Sequence, residues 1–320
     1  MGTTAQKLNK ILETKEAIRT AINNKGGTLT TTDTFASYPS AIDNLPSGGG
    51  GSLKTLLDAT QSTYYLFKDY SGKNVNNLIS YNDTSNVTNM SRTFYQCPNL
   101  TTIPQLNTNK VMNMSSMFSN CEALITIPQL DTSKVTNMSE MFLGCYKLAK
   151  IPQLNTSKVT DMSHMFNSCI ELTTIPQLDT SNVTKMTTMF ISCRNLTTIP
   201  QLNTNKVASL SYVFSNCYKL TTIDITHMKF TSTSSTNSFA NNCYSLTKLI
   251  IRNMSAIPPL NSNAFTNCYH FTGTTNATYN PQGLKDGRIY VPDDKVDALK
   301  TASGWSKYAD IIVGLSTLQE

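Results

Sequence analysis

Apolar and polar positions recur along this chain with a fixed period. Six consecutive segments share one pattern, and they begin at Asp83, Asn107, Asp131, Asn155, Asp179 and Asn203. In the third segment the apolar positions are Val135, Met138, Met141, Phe142, Cys145, Leu148, Ile151 and Leu154. A short period without insertions is typical of a solenoid, because each unit buries its apolar face only by stacking on its neighbours. We therefore predict a repeat solenoid that is capped at both ends.

Cysteines mark the period. Six of them lie 24 residues apart, and two more follow after steps of 26 and 25: Cys97, Cys121, Cys145, Cys169, Cys193, Cys217, Cys243 and Cys268. Free cysteine and methionine commonly fill protein cores. The spacing matches no arrangement of zinc ligands. We predict a core column of reduced thiols, with no metal site and no cofactor.

The polar positions suggest a mainly β coil with a short strand, a turn, a second extended arm and one helical turn. One threonine column offers hydroxyl groups that can form hydrogen bonds from coil to coil: Thr84, Thr108, Thr132, Thr156, Thr180 and Thr204. A second hydroxyl column is expected to cap the helical turn: Ser91, Ser115, Ser139, Ser163, Thr187 and Ser211. Prolines such as Pro128 should end the Leu-x-x-Ile segment, because proline cannot donate a ladder hydrogen bond.

The repeats resemble a known family. Segments such as DTSNVTNMSRTF from residue 83 and DTSKVTNMSEMF from residue 131 resemble the BspA-like leucine-rich repeats of bacterial surface proteins, in their short variety. The resemblance covers residues 83–270. It implies a leucine-rich-repeat-like solenoid that binds surfaces or proteins, and it implies no enzymatic activity.

The two flanks of the repeats are predicted to be caps, since an open end would expose core and strand edges. Residues 53–82 lack the repeat and are rich in aromatic residues. Residues 271–320 include GRIYVPDDKVDALKTASGWSKYADIIVGL, which suggests strand, helix and strand and resembles the terminal segment of many BspA-like domains. We expect Trp305 to lie in the core of this second cap.

Residues 1–46 are predicted to attach the protein to something else. Leu8, Ile11, Ile18 and Ile22 follow an a/d pattern on a helix. The Gly-rich linker 47–52 separates this segment from the repeats. Such a short helix must pack on something. Self-association, for example as a homotrimer, docking on a larger body and packing on its own domain remain open.

Residues 1–46 also resemble short N-terminal segments of bacteriophage tail and tail-fibre proteins. The resemblance implies partners in a phage tail or baseplate, and hence a virion location. The first residues do not read as a secretory signal, which is consistent with that expectation. A bacterial cell surface is the alternative location.

The residue types indicate binding and not catalysis. The sequence has three histidines, which hold no repeated position, and it shows no nucleophile elbow, phosphate loop or HExxH spacing. The formal net charge is +6, with the basic residues scattered, so we expect no nucleic-acid partner. No stretch approaches the apolar length of a membrane span. We predict that the protein is not an enzyme.

The positions around each cysteine vary from coil to coil while the other columns barely change. Tyrosine and arginine are typical of binding hot spots. The candidate ligand-binding residues are Arg92, Tyr95, Glu140, Tyr146, Lys147, His164, Arg194, Tyr212, Tyr218 and Lys219. Drift on a solvated face is the alternative explanation. Two functions fit the pattern. One is phage host attachment, with this face presented to a bacterial surface glycan or protein; the other is a BspA-like surface adhesin or protein-interaction scaffold.

Removing residues 1–52 should abolish any self-association, because the a/d helix is the segment predicted to associate. Light scattering on the full chain and on a chain that begins at Leu53 would compare their masses. If both are monomers, the helix does not associate with copies of itself and must dock elsewhere.

Overall fold

The computed structural model describes Leu57 and residues 61–76, 79–228 and 233–319. The predicted helix and the Gly-rich linker lie outside these residues. Parallel bridges connect equivalent positions of successive coils, at Ser62, Asn89, Asn113, Asn137, Asp161 and Lys185. Each bridge joins a residue to its counterpart one coil later, so the coils stack in parallel. The predicted leucine-rich-repeat-like solenoid is confirmed.

Regular strands occur in the C-terminal part. β1 (Thr222–His227), β2 (Lys248–Asn253), β3 (Arg288–Val291) and β4 (Ile312–Gly314) form one parallel sheet in that order. The register pairs Ile223 with Leu249, and Leu249 with Ile289. Between residues 61 and 319 the described part of the chain has two short α-helices, α1 (Tyr269–Thr272) and α2 (Val296–Thr301). Short 3-10 helices lie at Asn82–Thr84, Thr233–Thr236, Asp293–Lys295, Ser306–Ile311 and Leu315–Thr317.

The six repeat coils contain consecutive turns where we predicted a helical turn. In the third coil Met138, Glu140, Phe142 and Gly144 donate their N–H groups to carbonyls of the next coil. The alternate residues Met141, Leu143 and Cys145 instead donate to the residue three positions earlier. The predicted helical turn is therefore wrong, because half of the N–H groups that a helix would use are bonded along the solenoid axis.

The predicted capping role of the serine column is also wrong. In the third coil the Asn137 side-chain oxygen accepts from the backbone N–H of Ser139 at 2.9 Å and from its hydroxyl at 2.8 Å. The same N–H contact recurs at Asn89, Asn113 and Asp161. The residue two positions before the serine therefore fixes the turn, as an Asx-type side chain does.

A phenylalanine column forms the centre of the core. Successive rings are nearly parallel, with centroids 5.4–5.7 Å apart and interplanar angles of 2–9°, through Phe67, Phe94, Phe118, Phe142, Phe166, Phe190 and Phe214. Beyond Phe214 the rings turn edge to face, at 85° against Phe239. This change coincides with the end of the run of 24-residue steps, since Phe239 follows Phe214 after 25 residues.

The phenylalanine column begins one coil before the visible repeat. Phe67 stacks on Phe94 at 5.4 Å, although it lies in the segment that lacks the repeat. Tyr65 and Asp69 have positive φ like Arg92 and Gln96, their counterparts in the first repeat coil. The described part of residues 53–82 thus has the backbone of a coil without its sequence pattern.

The cysteine column is buried, as predicted, and all eight cysteines are free. Each Sγ lies 2.8–3.2 Å from a backbone carbonyl of the preceding coil. For Cys145 that carbonyl belongs to Phe118, which also accepts the N–H of Cys121. The thiol is thus a weak donor that adds a bond between coils.

Side-chain ladders complete the stacking. The Thr132 hydroxyl donates to the Asn155 carbonyl at 2.9 Å and accepts the Asn155 N–H at 2.8 Å, so the predicted coil-to-coil bonding is confirmed with backbone groups as partners. A glutamine ladder was not predicted. Gln129 Nε2 donates to the Gln153 carbonyl at 2.7 Å. This amide supplies a donor next to Pro128, which has no N–H.

The C-terminal end closes the core as predicted, with β3, α2 and β4 in the expected order. Trp305 is fully buried, and its Nε1 donates to the Pro258 carbonyl at 2.8 Å. Tyr308 packs edge to face on Phe265 with centroids 5.4 Å apart. Trp305 is therefore a core residue of the cap.

The thiols should resist modification in the native protein. Burial raises the pKa of Cys193 to about 12 and also raises the pKa of Cys145. At about pH 9, where an ordinary thiol is largely ionised, Ellman's reagent should modify none of the eight cysteines. It should modify all of them in guanidinium chloride.

A Lys134→Cys variant is the matched control, because Lys134 is exposed in the same coil as Cys145. Its single new thiol should react at once. Prompt reaction of the native cysteines without denaturant would contradict the buried column.

Candidate binding face

The predicted site residues fall in columns that run along the solenoid. Positions are counted here from the cysteine of each coil. Arg92, Glu140, His164 and Tyr212 are five residues before it, and Tyr95 is two before. Tyr146, Arg194 and Tyr218 are one residue after the cysteine, and Lys147 and Lys219 are two residues after it. Because the backbone conformation recurs in each coil, residues at the same distance from the cysteine occupy equivalent positions on different coils.

The first set forms a column of left-handed backbone, which we call the αL column. Its φ values lie between 54° and 58° at Arg92, Ser116, Glu140, His164, Thr188 and Tyr212. Each of these residues donates its N–H to a carbonyl of the next coil at 2.8–3.1 Å. The coil-to-coil hydrogen bond therefore requires this backbone conformation whatever the side chain.

A second left-handed position directly precedes the cysteine, and we call it the pre-cysteine column. Its members are Gln96, Asn120, Gly144, Ser168, Ser192, Asn216, Asn242 and Asn267. Glycine and asparagine adopt this conformation at low cost, whereas other residues do so at about 1 kcal/mol or more. The pre-cysteine column is rich in the low-cost residues, but the αL column contains neither of them in the six repeat coils. Two positions with the same backbone requirement thus differ in composition.

Some αL-column side chains contact their neighbours. Ser116 Oγ donates to Glu140 Oε2 at 2.9 Å, and Asn237 donates to the Tyr212 hydroxyl at 2.8 Å. Thr188 Oγ1 lies 2.5 Å from the carbonyl of its own preceding residue. Tyr212 remains 37% exposed. The column thus presents acidic, imidazole, hydroxyl and phenol groups at the surface.

Arg92 belongs to an aromatic cluster at the N-terminal end. Its guanidinium donates to the hydroxyls of Tyr64 at 3.0 Å and Tyr65 at 3.1 Å. It also lies 5.6 Å and 5.7 Å from the ring centroids of Tyr65 and Tyr95. Burial, helped by Tyr64, raises the pKa of Tyr65, while Arg92 acts in the opposite direction. Arg92 and Tyr95 therefore hold the first repeat coil to the coil that precedes it, a role that the sequence alone did not indicate.

Arg194 and Tyr218 belong to a stacked row that we call the tyrosine ridge: Arg194, Tyr218, Tyr244 and Tyr269. The Arg194 guanidinium lies 5.5 Å from the Tyr218 ring centroid. Tyr218 stacks on Tyr244 at 4.6 Å and 15°, and Tyr244 stacks on Tyr269 at 5.3 Å and 21°. Tyr279 packs against Tyr244 at 4.8 Å.

Sequence reasoning missed Tyr244 and Tyr269. Both directly follow a cysteine, as Tyr218 does, but their coils are offset by 26 and 25 residues. Comparing only the coils of strict period left them out. Counting from each cysteine would have found them.

The remaining predicted residues are not brought together with the ridge. Tyr146 is 38% exposed, and no ring packs against it in the described part of the chain. Lys147 lies 3.7 Å from Glu171. Lys219 follows Tyr218 and is exposed. The face therefore has an αL column, an N-terminal cluster and a C-terminal ridge.

The described residues lack two other structural features. They contain no group of three or more His, Cys, Asp or Glu residues that could hold a metal ion. Among them no helix is long and apolar enough to cross a membrane. A cavity of about 390 Å³ at the C-terminal end is lined by residues that include Phe265, Lys285, Lys307 and Tyr308, and by none of the predicted site residues.

The family follows from comparison with known proteins. A family model described as "Mycoplasma protein of unknown function, DUF285" matches residues 61–173 and 146–254. The chain belongs to the DUF285 family. The first DUF285 match begins at residue 61 and so includes the coil that carries no visible repeat. A comparison with curated proteins finds no match.

Three solved structures of bacterial proteins are similar to this DUF285 chain. A leucine-rich repeat protein of T. pallidum has 20% identity and a TM-score of 0.35, over 48% of this chain and 69% of that one. A leucine-rich cell surface protein of Faecalibacterium prausnitzii A2-165 has 18% identity and a TM-score of 0.29, over 72% and 76%. Internalin C2 of Listeria monocytogenes str. 4b F2365 has 14% identity and a TM-score of 0.28, over 75% and 86%.

Replacing Arg92 by Lys should loosen the N-terminal coil, because lysine lacks the planar guanidinium that lies over the Tyr65 and Tyr95 rings while its Nη1 donates to Tyr64 and Tyr65. We expect a loss of about 1–2 kcal/mol in local stability. Hydrogen exchange at the Phe67 N–H, which donates to the Thr93 carbonyl, would report it.

The matched control is Arg194→Lys, which alters an arginine that lies over a tyrosine ring. It should leave Phe67 exchange unchanged. Equal effects of both variants at Phe67 would argue against a local role for Arg92.

Proposed function

We propose that this protein is a non-enzymatic binding protein that presents the αL column and the tyrosine ridge to a bacterial surface glycan or protein. The observation that carries the proposal is the composition of the αL column. Glutamate, histidine, threonine and tyrosine, at Glu140, His164, Thr188 and Tyr212, occupy a backbone conformation that glycine or asparagine would adopt at lower cost.

The pre-cysteine column is the internal reference for this argument. It has positive φ on the same coils and forms the same kind of coil-to-coil hydrogen bond, yet it is mostly asparagine, serine and glycine. Its asparagine side chains bond to neighbouring coils, as Asn242 does in donating to Asn216 Oδ1 at 2.7 Å, and there the chain uses low-cost residues. Unfavourable backbone conformations tend to persist where function requires them. The αL side chains are therefore kept for what they contact outside the coil.

The solenoid suits this role. Each coil presents its variable side chains on the same backbone as its neighbours, so the columns form an extended surface. A ligand that contacts several coils gains from each of them. The resemblance of the repeats to BspA-like surface proteins favours an adhesin or protein-interaction scaffold at a cell surface.

The second candidate is host attachment by a phage tail, favoured by the resemblance of residues 1–46 to tail proteins. In that case residues 1–46 bind tail or baseplate proteins, as a homotrimer or as a docked helix, and the protein is part of the virion. The same solenoid serves both candidates, because fold does not determine function. Tail or lysis genes beside the gene for this chain would select the second candidate.

Asparagine at the αL column should stabilise the protein and remove binding. The variant combines Glu140→Asn, His164→Asn, Thr188→Asn and Tyr212→Asn. Relief of the left-handed backbone at Thr188 and His164 should add about 0.5–1 kcal/mol each to the free energy of unfolding. Cosedimentation of the labelled protein with a panel of bacterial cells would measure binding.

The matched control places asparagine in the pre-cysteine column, as Ser168→Asn with Ser192→Asn. It should also raise the melting temperature but leave cosedimentation unchanged. Full binding by the αL-column variant would remove the main support for the proposal.

A further inference from the structure

The tyrosine ridge covers its own ring faces. Tyr244 lies between Tyr218 and Tyr269, at 4.6 Å and 5.3 Å, so both faces of its ring are occupied. The Arg194 guanidinium lies over the Tyr218 ring. All three tyrosines remain partly exposed. The exposed parts are therefore ring edges and hydroxyl groups.

These exposed parts are electropositive. The edge of an aromatic ring carries partial positive charge, whereas its face is negative. Burial raises the pKa of Tyr244, and the phenols of Tyr218, Tyr269 and Tyr279 raise it further, so its hydroxyl keeps its proton. Each ridge hydroxyl therefore carries one O–H that it can donate outward.

Nearby charges have the same sign. Arg194 and Lys219 are exposed cations beside Tyr218. The adjacent acidic groups already have partners, since Glu171 lies 3.7 Å from Lys147 and Asp286 lies 2.7 Å from His270. The ridge thus combines hydroxyl donors, positive ring edges and two cations without a carboxylate of its own to neutralise them.

We propose that the tyrosine ridge binds an extended acidic segment of a partner protein. The ridge advances by one ring per coil, with centroids 4.6 Å and 5.3 Å apart. Alternate carboxylates of an extended chain recur every ~7 Å, so a short acidic segment places several of them along the ridge. Charge-assisted hydrogen bonds from hydroxyl and guanidinium groups are the strong ones.

A protein fits this surface better than a polysaccharide does. A sugar ring stacks on an aromatic face, and the faces of Tyr218 and Tyr244 are occupied. Tyrosine edges and hydroxyls, held in place by stacking, lose little conformational entropy on binding, as in the tyrosine-rich surfaces of antibodies. The inference rests on the proposed binding function and names the partner class of one part of its face.

The full-length protein should bind a fluorescein-labelled peptide of alternating Glu and Ser, measured by fluorescence anisotropy. A Gln and Ser peptide is the neutral reference and should bind at least about tenfold more weakly. Added salt should weaken binding of the acidic peptide, because exposed charges are screened.

Two variants test the ridge. Tyr218→Phe with Tyr244→Phe keeps the ring stack and removes two hydroxyls. This double variant should bind the acidic peptide about tenfold more weakly. Arg194→Gln with Lys219→Gln should do the same and reduce the salt dependence. Tyr81→Phe changes an exposed tyrosine outside the ridge and should have no effect. Thermal melts should be unchanged for all three.

The inference is overturned if the acidic peptide does not bind, or if the ridge variants bind it as tightly as the native protein. It is also overturned if polygalacturonate binds more tightly than the peptide and is lost in the ridge variants, which would assign the ridge to an acidic polysaccharide. Binding to bacterial cells without peptide binding removes this inference and leaves the proposed function. Peptide binding that depends on the ridge, without binding to cells, removes the proposed function and leaves this inference.

Discussion

The rest of the structure depends on backbone hydrogen bonds between coils. In each turn, every second N–H group donates to a carbonyl of the next coil. In the third coil Met138, Glu140, Phe142 and Gly144 all donate in this way. Glu140 and Gly144 can do so only with positive φ. A single coil has no partner for these groups, so it cannot be stable by itself. Stacking therefore sets the backbone of every coil, and the backbone then sets where each side chain lies.

Stacking also explains why the buried columns are so uniform. A phenylalanine ring packs on the same ring one coil later, at 5.6 Å between Phe142 and Phe166. A cysteine donates to the carbonyl of the preceding coil. Threonine and glutamine supply further bonds between coils, at Thr132 and Gln129. A change at any of these positions alters contacts on both sides, so the coils share one set of residues.

The surface columns follow a different constraint. Side chains at the αL column and after the cysteine have their backbone fixed by the core but are free to differ. The αL residue is different in each of the six repeat coils. Binding solenoids divide their sequence in this way between a constant scaffold and a variable face. Arg92 shows that the division is not complete, because its guanidinium is occupied by Tyr64 and Tyr65. Arg194, on the ridge, retains an exposed side chain.

The sequence by itself determined the period, the buried columns, the burial of Cys145 and Trp305, and the order of strand and helix at the C-terminal end. Identical residues at constant spacing require identical surroundings, and that requirement can be read without coordinates. Only the tertiary structure decided the turn conformation, since positive φ at Glu140 or Thr188 is imposed by a carbonyl of the next coil and opposes local preference. It alone showed the coil around Phe67, where the geometry repeats and the residues do not. The tyrosine ridge likewise depends on the structure, because Tyr218, Tyr244 and Tyr269 come from coils of unequal length that stacking brings into one row.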